Sequence, residues 1–304
     1  MDQLIKPVGL INFSGSACYY NSLLQFAFNN PTVFSCIITN EDYFKQSKVG
    51  LELVNYVKNY SNLETIAPTN IHIPLFESIK SEMNLKLPSL KFPNGQEDAF
   101  DMMCKIIELT NLPLINSKSV DGLIPDDEIN PLNQLINLVY DNYIQCSPCD
   151  KLIKLKTRSN KLFVMFNKPV KSKYGSSISI IMSTVPDFIC PECNKKSGKT
   201  IFVEKLVSHP KILIVAFNLD QGSGGGRFIR DIPNIIELEF KKKKYEYQLY
   251  STITQIGSKH GGHYTASRYH DGKNTCSYND ADVRDQNGEL RTSPNNYGLT
   301  YILN

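Results

Sequence analysis

Two Cys-x-x-Cys pairs constrain the fold of this chain more than any other feature of its sequence. The first pair is Cys146 and Cys149 in CSPC, the second is Cys190 and Cys193 in CPEC, and residues 150–189 between them are strand-like. Two short turns that each offer two thiolates match the tetrahedral shell preferred by Zn²⁺. The spacing predicts one Zn²⁺ ion that clamps the tips of two long β-hairpins. Four thiolates leave no open position for water, so this zinc is structural.

The alternative for these cysteines is a set of unpaired thiols in a reducing compartment. Pro148 and Pro191 lie inside the two turns and favour rigid metal-binding knuckles. The chain has eight cysteines, but its 304 residues and 41% hydrophobic content are sufficient for a core without disulfide bonds. We therefore expect metal binding rather than a disulfide framework.

Composition argues against several classes of protein. A net charge of +3 is too small to indicate a nucleic-acid partner, and we interpret the run Lys241–Lys244 as a solvated turn or strand edge. No apolar run approaches the ~18 residues of a membrane span, so we expect no membrane partner. The N-terminal stretch MDQLIKPVGLINF lacks the pattern of a secretory signal. We therefore expect an intracellular protein, in the cytoplasm or the nucleus.

The hydrophobic pattern changes along the chain from helical to strand-like. Up to about residue 115 apolar residues recur at helical spacing, as in CYYNSLLQFAFNN and DAFDMMCKIIELTN. From about residue 150 the chain reads as short β-branched and aromatic strands. These are KLFVMF, SISIIM, KILIVAF, IIELEF, YQLYSTIT, HYTASRYH and YGLTYIL. Helices followed by strands predict an α+β fold.

Cys18 follows the small-residue stretch SGSA and lies where the first helix is predicted to begin. Free N–H groups and the positive end of a helix dipole lower the pKa of a thiol and can hold an oxyanion. This position favours a nucleophile. The alternative is a small buried thiol that only packs in the core.

His263 is the histidine best placed to serve as a base. It follows His-Gly-Gly and opens the strand HYTASRYH, which then reaches Asp-Gly at residues 271–272. A two-residue turn there would place His263 opposite Asp280 and one position from Asn279. A bulge or longer loop would shift the register, so the spacing leaves the choice between Asn279 and Asp280 open. The alternative is a histidine with only a structural role.

Several sequence blocks together resemble the ubiquitin-specific proteases, a family of cysteine deubiquitinases. They occur in family order across nearly the whole chain. The blocks are GLINFSGSACYYNSLLQ at 9–25, QEDAFDMM at 96–103, CSPC, CPEC, HPKILIVAFNL at 209–219, YQLYSTITQIGSKHGGHYTA at 247–266, YNDADV at 278–283 and the terminal YGLTYIL.

The resemblance implies a papain-like cysteine protease core in a thumb, palm and fingers arrangement with zinc-clamped β fingers. It implies one catalytic domain over residues 1–304, with a helical thumb over about 1–125, fingers over about 135–205 and a β palm over about 206–304. We expect a monomer. The richness in Asn, Lys and Ile is typical of an AT-rich genome, such as that of a eukaryotic parasite or a large DNA virus. The host cell would then be the site of action.

The resemblance also implies a role for each candidate residue. Cys18 attacks the carbonyl after the C-terminal glycine of ubiquitin, His263 is the base, Asn279 orients His263, and Asp280 assists. Ubiquitin and its conjugates are the implied partners. The residues expected to bind ubiquitin are Gln96, Glu97, Asp98, Gly261, Gly262 and Tyr264, with Glu97 and Asp98 facing its basic tail. The alternatives are a catalytically silent ubiquitin-binding scaffold and a protease for a ubiquitin-like modifier.

Asn12 departs from the family pattern. The family places its oxyanion-donating asparagine five residues before the cysteine, whereas one extra residue here moves Asn12 one position further away and puts Phe13 in the usual place. Either the loop bulges so that Asn12 still reaches the oxyanion, or backbone N–H groups near Cys18 hold it alone.

Overall fold

The structure is a computed structural model that describes residues 5–86, 97–111, 130–166, 183–184, 188–196, 201–217, 233–241, 243–258, 261–269, 274–286, 288, 290 and 295–304. Helices come first along the chain and strands follow. This order confirms the predicted α+β class. Among these residues, no helix combines the length and apolar character needed to cross a bilayer.

Four of the helices begin at a residue whose side chain caps the helix. Asn30, Ser47, Asp98 and Asn130 each accept a hydrogen bond from a backbone N–H in the first turn of the following helix. The helices are α1 Cys18–Leu23, which continues as a π-helical turn over Leu24–Phe28, α2 Pro31–Thr39, α3 Glu41–Phe44, α4 Lys48–Ser61, α5 Ile73–Lys86, α6 Ala99–Thr110 and α7 Pro131–Ile136.

The strands form two sheets. One is four-stranded, in the order β2-β1-β5-β4, and the other is eight-stranded, in the order β11-β10-β9-β8-β12-β6-β3 with β7 also paired to β8. The strands are β1 Leu138–Gln145, β2 Leu152–Lys161, β3 Val164–Phe166, β4 Ser183–Thr184, β5 Ile201–Ser208, β6 Ile212–Phe217, β7 Ile235–Phe240, β8 Lys243–Ser258, β9 Gly261–Tyr269, β10 Thr275–Asn279, β11 Asp282–Gln286 and β12 Asn296–Leu303.

Most of the predicted strands are present. The strand expected over SISIIM lies outside the described residues. The basic run begins after β7 and continues into β8: Phe240 pairs with Lys243, and the exposed Lys241 has a φ of 50°. The proposed limits of thumb, fingers and palm stay a prediction.

Strand β6 lies in the middle of the hydrophobic core and is buried along its whole length. Alternate residues of a strand point to opposite faces of its sheet. One face packs against the helices through Ile212, Ile214 and Ala216. The other face belongs to a second cluster and contributes Leu213, Val215 and Phe217. Burial on both faces explains why KILIVAF is continuously apolar rather than alternating.

Arg268 on β9 is a fully buried cation that ties several segments together. Its guanidinium carbon lies 5.0 Å from the ring centroid of Tyr278 on β10. The guanidinium N–H groups donate to the backbone oxygens of Lys6 (3.1 Å), Tyr269 (3.3 Å) and Ile5 (3.5 Å), to Oε1 of Gln25 (3.4 Å) and to the hydroxyl of Tyr60 (3.5 Å). One side chain therefore links the N-terminal segment, two helical segments and the central sheet.

Replacing this arginine should destabilise the fold strongly. Arg268→Met removes all the hydrogen bonds that the buried guanidinium donates and its contact with the Tyr278 ring, and we expect the free energy of unfolding to fall by about 2 to 4 kcal/mol. Urea denaturation followed by circular dichroism measures the change. The control is Arg284→Met at an exposed arginine that pairs with Asp282, where we expect a change below about 0.5 kcal/mol. Equal effects of the two substitutions would contradict the structural role of Arg268.

Candidate active site

Cys18 is the first residue of α1, and its thiol is buried beside strand β9. The backbone N–H groups of Tyr264 and Tyr19 donate hydrogen bonds to the sulfur. Burial raises the pKa of the Cys18 thiol above its ordinary value, the N–H of Tyr264 opposes this rise, and the negative charge of Asp280 adds to it. The resting thiol is therefore neutral and needs a base before it can act as a nucleophile.

His263 is oriented by Asn279. Nε2 of the imidazole lies 2.5 Å from Oδ1 of Asn279. An amide oxygen only accepts hydrogen bonds, so Nε2 carries the proton and Nδ1 is left as a proton acceptor. The next residue, Tyr264, supplies an N–H to the sulfur of Cys18. The imidazole of His263 is thus oriented by an amide, and the residue that follows His263 binds the sulfur of Cys18, as expected if these three residues act together in nucleophilic catalysis.

The connection between β9 and β10 differs from the predicted one. The strands pair as far as Tyr269 and Thr275, so the odd-length segment 270–274 connects them. This register differs by one position from the register that a two-residue turn at 271–272 alone would give, and residues 271–272 themselves lie outside the described part of the chain. An odd-length connection shifts every cross-strand pair by one position.

The shifted register separates the roles of the two neighbouring polar residues. Tyr278 pairs with Ala266 at the end of the ladder, and the next side chain, Asn279, reaches the imidazole of His263. Asp280 has a φ of 52° in the turn that follows, and its side chain points to the Cys18 segment instead. The strand spacing left both residues open as partners of His263, the family resemblance implied Asn279, and the geometry selects Asn279.

Asp280 joins the β10–β11 turn to the segment around Cys18. Its Oδ2 accepts a hydrogen bond from Nδ2 of Asn12 at 3.0 Å, and its Oδ1 accepts one from Nδ2 of Asn21 at 2.8 Å. Its backbone oxygen accepts the N–H of Leu10 at 3.0 Å. The carboxylate is therefore committed to holding two asparagines rather than to the imidazole.

The side chain of Asn12 faces the start of α1 despite the extra residue. Its Oδ1 accepts the backbone N–H of Ala17 at 3.1 Å, while Nδ2 donates to Asp280. Gly15 adopts a φ of 73°, a left-handed conformation that suits glycine, and so closes the turn between them. Since an amide nitrogen carries two hydrogens, the second remains available for another acceptor.

Phe13, which occupies the usual place of the asparagine, packs on a buried aromatic cluster. Its ring centroid lies 5.7 Å from that of His72 and 5.0 Å from that of Phe76, and Tyr20 packs against both. Nε2 of His72 lies 3.1 Å from the backbone oxygen of Ile11. Burial lowers the pKa of His72 to about 4. The imidazole is therefore neutral at physiological pH.

The two acidic residues expected to face the basic tail of ubiquitin already have partners within the chain. Asp98 accepts two backbone N–H groups at the start of α6, at 2.8 and 3.0 Å, and the hydroxyl of Tyr297 also donates to it. Glu97 forms an ion pair with Lys105. A basic tail would have to share these carboxylates. Gln96 lies outside the described residues.

The remaining expected ubiquitin contacts lie at the start of β9. Gly261 and Gly262 pair with Ser258 and Gly257 of the neighbouring strand β8. Tyr264 is only 3% exposed, with its ring centroid 5.7 Å from that of Tyr297. The side chain of Tyr264 is therefore a core residue, and only its backbone faces the site.

The four cysteines of the two pairs meet in one cluster, as predicted. Their sulfurs all lie within 4.8 Å of one another. The cross-pair distances are 3.7 Å between Cys146 and Cys193 and 3.8 Å between Cys149 and Cys190. A compact set of four thiol groups has the donor chemistry of a closed metal site.

The two knuckles have the same backbone geometry. The N–H of Asp150 donates to the oxygen of Cys146 at 2.7 Å, and the N–H of Asn194 donates to the oxygen of Cys190 at 2.8 Å. Asp150 and Asn194 have φ values of 55° and 57°. Asp and Asn are the non-glycine residues that tolerate this left-handed conformation best. The matching turns aim all four sulfurs at one point.

This α+β fold, with a cysteine at a helix start and a histidine and an asparagine on neighbouring strands, defines a cysteine protease. The model of the family described as ubiquitin carboxyl-terminal hydrolase matches residues 8–302. The chain therefore belongs to this family of deubiquitinases, and the resemblance found in the sequence is confirmed. No curated protein sequence gives a significant match.

Solved structures share the fold at low sequence identity. The SAGA DUB module of Ubp8, Sgf11, Sus1 and Sgf73 bound to monoubiquitin matches with a TM-score of 0.71 and 18% identity, over 100% of this chain and 70% of that chain. The module bound to ubiquitin aldehyde gives 0.70 and 18%, over 100% and 71%. A yeast SAGA module with mutant Sgf73 gives 0.70 and 19%, over 100% and 70%. The likeness supports the fold.

Two side chains of the site were not found by sequence reasoning. Asn21, which binds Asp280, stands inside the block CYYNSLLQ, and an amide side chain within this mainly apolar block was the available signal. His72 carries no comparable signal, because only the folded chain brings it beside Ile11.

Stability should depend on pH through His72. Its folded pKa of about 4 lies below the ordinary value of 6.5, so between these values only the unfolded chain takes up the proton. Stability is therefore lost as pH falls, by about 1.4 kcal/mol per unit. From pH 7.5 to 5 the protein should lose about 2 kcal/mol more than His72→Phe, as measured by urea denaturation. Parallel pH profiles would show that His72 is not held neutral.

Proposed function

We propose that Cys18, His263 and Asn279 hydrolyse the bond after the C-terminal glycine of ubiquitin in protein conjugates or chains. One observation carries this proposal: the imidazole of His263 is held by Asn279 at 2.5 Å, while the adjacent residue places its N–H on the sulfur of Cys18. The family supplies ubiquitin as the substrate. The solved SAGA modules with ubiquitin bound support the same choice.

The reaction begins with transfer of the Cys18 proton to Nδ1 of His263. The thiolate adds to the carbonyl carbon of the terminal glycine, and the imidazolium protonates the departing lysine amine as the carbon–nitrogen bond breaks. Water then loses a proton to His263 and attacks the thioester. The carbon–sulfur bond breaks, the thiol is reprotonated, and ubiquitin leaves with a free carboxylate.

The oxyanion formed in both steps needs donors close to Cys18. We assign this role to Nδ2 of Asn12 together with backbone N–H groups at the start of α1. The hydrogen bond from Asn12 to Asp280 leaves one amide hydrogen for the oxyanion. Loss of one such donor typically lowers the rate by about 100- to 1,000-fold. Asp280 assists by holding Asn12 rather than by contacting His263.

The protein should form a covalent adduct with ubiquitin that carries an electrophile at its C-terminus. Incubation with this probe, and with matching probes of ubiquitin-like modifiers, followed by mass spectrometry, locates the adduct on Cys18. We expect complete labelling by the ubiquitin probe, and none in Cys18→Ala. The control is Cys36→Ala, at a partly buried thiol on α2 outside the site, which should still label.

The other outcomes identify the alternative functions. Ubiquitin binding without an adduct would indicate a silent scaffold and overturn the assignment of Cys18. Labelling only by the probe of a ubiquitin-like modifier would keep the chemistry and change the substrate.

We further propose that the four-cysteine cluster holds one structural Zn²⁺ ion. The donor set supports this choice, because four thiol sulfurs within 4.8 Å suit a tetrahedral Zn²⁺ shell with no place for a reacting water. The ion would join the knuckle after β1 to the knuckle before β5, and so fix the tip of the four-stranded sheet. A thiol nucleophile at Cys18 and a zinc site made of four thiolates both favour a reducing, intracellular location.

Freshly purified protein should contain about one zinc per chain, the stoichiometry of a closed four-cysteine site. Binding of this type is worth about 10 to 16 kcal/mol in small modules, so removal by a strong chelator should loosen the four-stranded sheet first. Elemental analysis and hydrogen exchange measure the two effects. Cys149→Ser should lose the metal, while Cys104→Ser on α6, outside the cluster, should keep it. Protein free of metal would contradict the zinc assignment.

A further inference from the structure

His72 is a fully buried side chain whose hydrogen bonding is incomplete. Nε2 lies 3.1 Å from the backbone oxygen of Ile11, and because a carbonyl only accepts, Nε2 carries the proton. Nδ1 is then a bare acceptor, and no described residue donates to it. An apolar ring of similar size would fill this space without an unpartnered polar atom. The incomplete bonding calls for a functional explanation.

His72 contacts both neighbours of Asn12. It donates to the backbone oxygen of Ile11 on one side and packs against the ring of Phe13 on the other. The N–H of Ile11 is bound in turn by the oxygen of Thr69 at 2.9 Å. Asn12 therefore lies between two residues that are both anchored to the segment at the start of α5.

The anchoring coincides with the extra residue of this chain. Residues 14 and 15, which follow Phe13, are exposed, so the longer loop has little packing of its own between Phe13 and the helix. An oxyanion donor works only if it is already in place when charge develops. A longer loop therefore needs an additional restraint on Asn12.

We propose that His72 is a positioning residue that holds Asn12 in place as the oxyanion donor. It does so through two contacts, its hydrogen bond to the backbone of Ile11 and its packing against the ring of Phe13, which we call the latch. This inference rests on the proposed function of Asn12. The latch explains why a histidine with an unpartnered nitrogen occupies a site where an apolar ring would fit: the N–H is needed to hold the backbone of Ile11. It also anchors the start of the lengthened loop, because the ring of Phe13 is packed on His72 and Phe76.

The test compares four proteins: the parent, His72→Phe, Asn12→Ala and the double variant. The assay is steady-state cleavage of a fluorogenic amide at the C-terminus of ubiquitin. We expect His72→Phe to lower kcat by about 10-fold, within the ~100-fold that a misplacement of 1 Å can cause. KM should stay within about 2-fold, because ground-state binding does not involve the oxyanion donor. His72→Gln, which can place an N–H near Nε2, should recover most of the loss.

The double variant distinguishes positioning from general destabilisation. If His72 acts through Asn12, adding His72→Phe to Asn12→Ala should lower kcat by less than about 2-fold further. The thermal midpoint of His72→Phe should equal or exceed that of the parent at pH 7.5, because the unpartnered Nδ1 is removed. The control Ile79→Val, at a buried residue of helix α5, which begins directly after His72, should leave kcat unchanged.

Each contrary result has a distinct meaning. If the effects of His72→Phe and Asn12→Ala multiply, or if His72→Phe has the kcat of the parent, the latch is overturned and Asn12 keeps its proposed role. If Asn12→Ala itself leaves kcat unchanged, the proposed oxyanion role is overturned and the latch with it. If Ile79→Val slows turnover as much as His72→Phe, the effect is general loosening and the latch is overturned.

Discussion

The active site depends on the hydrogen bonds of a single residue, Asp280. Its side chain binds Asn12 and Asn21, and its backbone oxygen binds Leu10, so the C-terminal sheet is joined directly to the segment that carries Cys18. Gly9 makes this approach possible, because a Cβ atom there would lie 2.4 Å from the backbone oxygen of the residue after Asp280. The nucleophile and its base come from distant parts of the chain, and this contact sets their relative position.

Most of the proposed active-site side chains lie on regular secondary structure, and one lies on a loop. His263 and Asn279 are carried by adjacent strands of the large sheet, and Cys18 by a fully buried helix. Only Asn12 stands on a loop. Strands and helices hold reacting groups without further help, whereas a loop residue needs local restraints. The hydrogen bonds of Asn12 to Ala17 and Asp280, and the packing of its neighbours on His72, supply such restraints.

Much of the architecture was predictable because its determinants are local. The spacing of apolar residues predicts the helix over Ala99–Thr110 and the buried strand over Ile212–Phe217. The two Cys-x-x-Cys motifs predict the knuckles, because each short turn brings two thiols to the same side. Strand spacing alone did not choose between Asn279 and Asp280, since the choice depends on a shift of one position in the β9–β10 register, whereas the family resemblance did imply Asn279. The surroundings of Asn12 likewise depend on residues brought together only by folding.

The sequence by itself determined the fold class, the family and the identity of the groups that do chemistry, because periodicity, motif spacing and residue type are properties of short segments. The tertiary structure alone decided what Asp280 binds and how a lengthened loop is held by His72, and it showed in the strand register why Asn279 rather than Asp280 reaches His263. These outcomes arise from strand register and long-range packing, where a shift of one position exchanges one side chain for its neighbour.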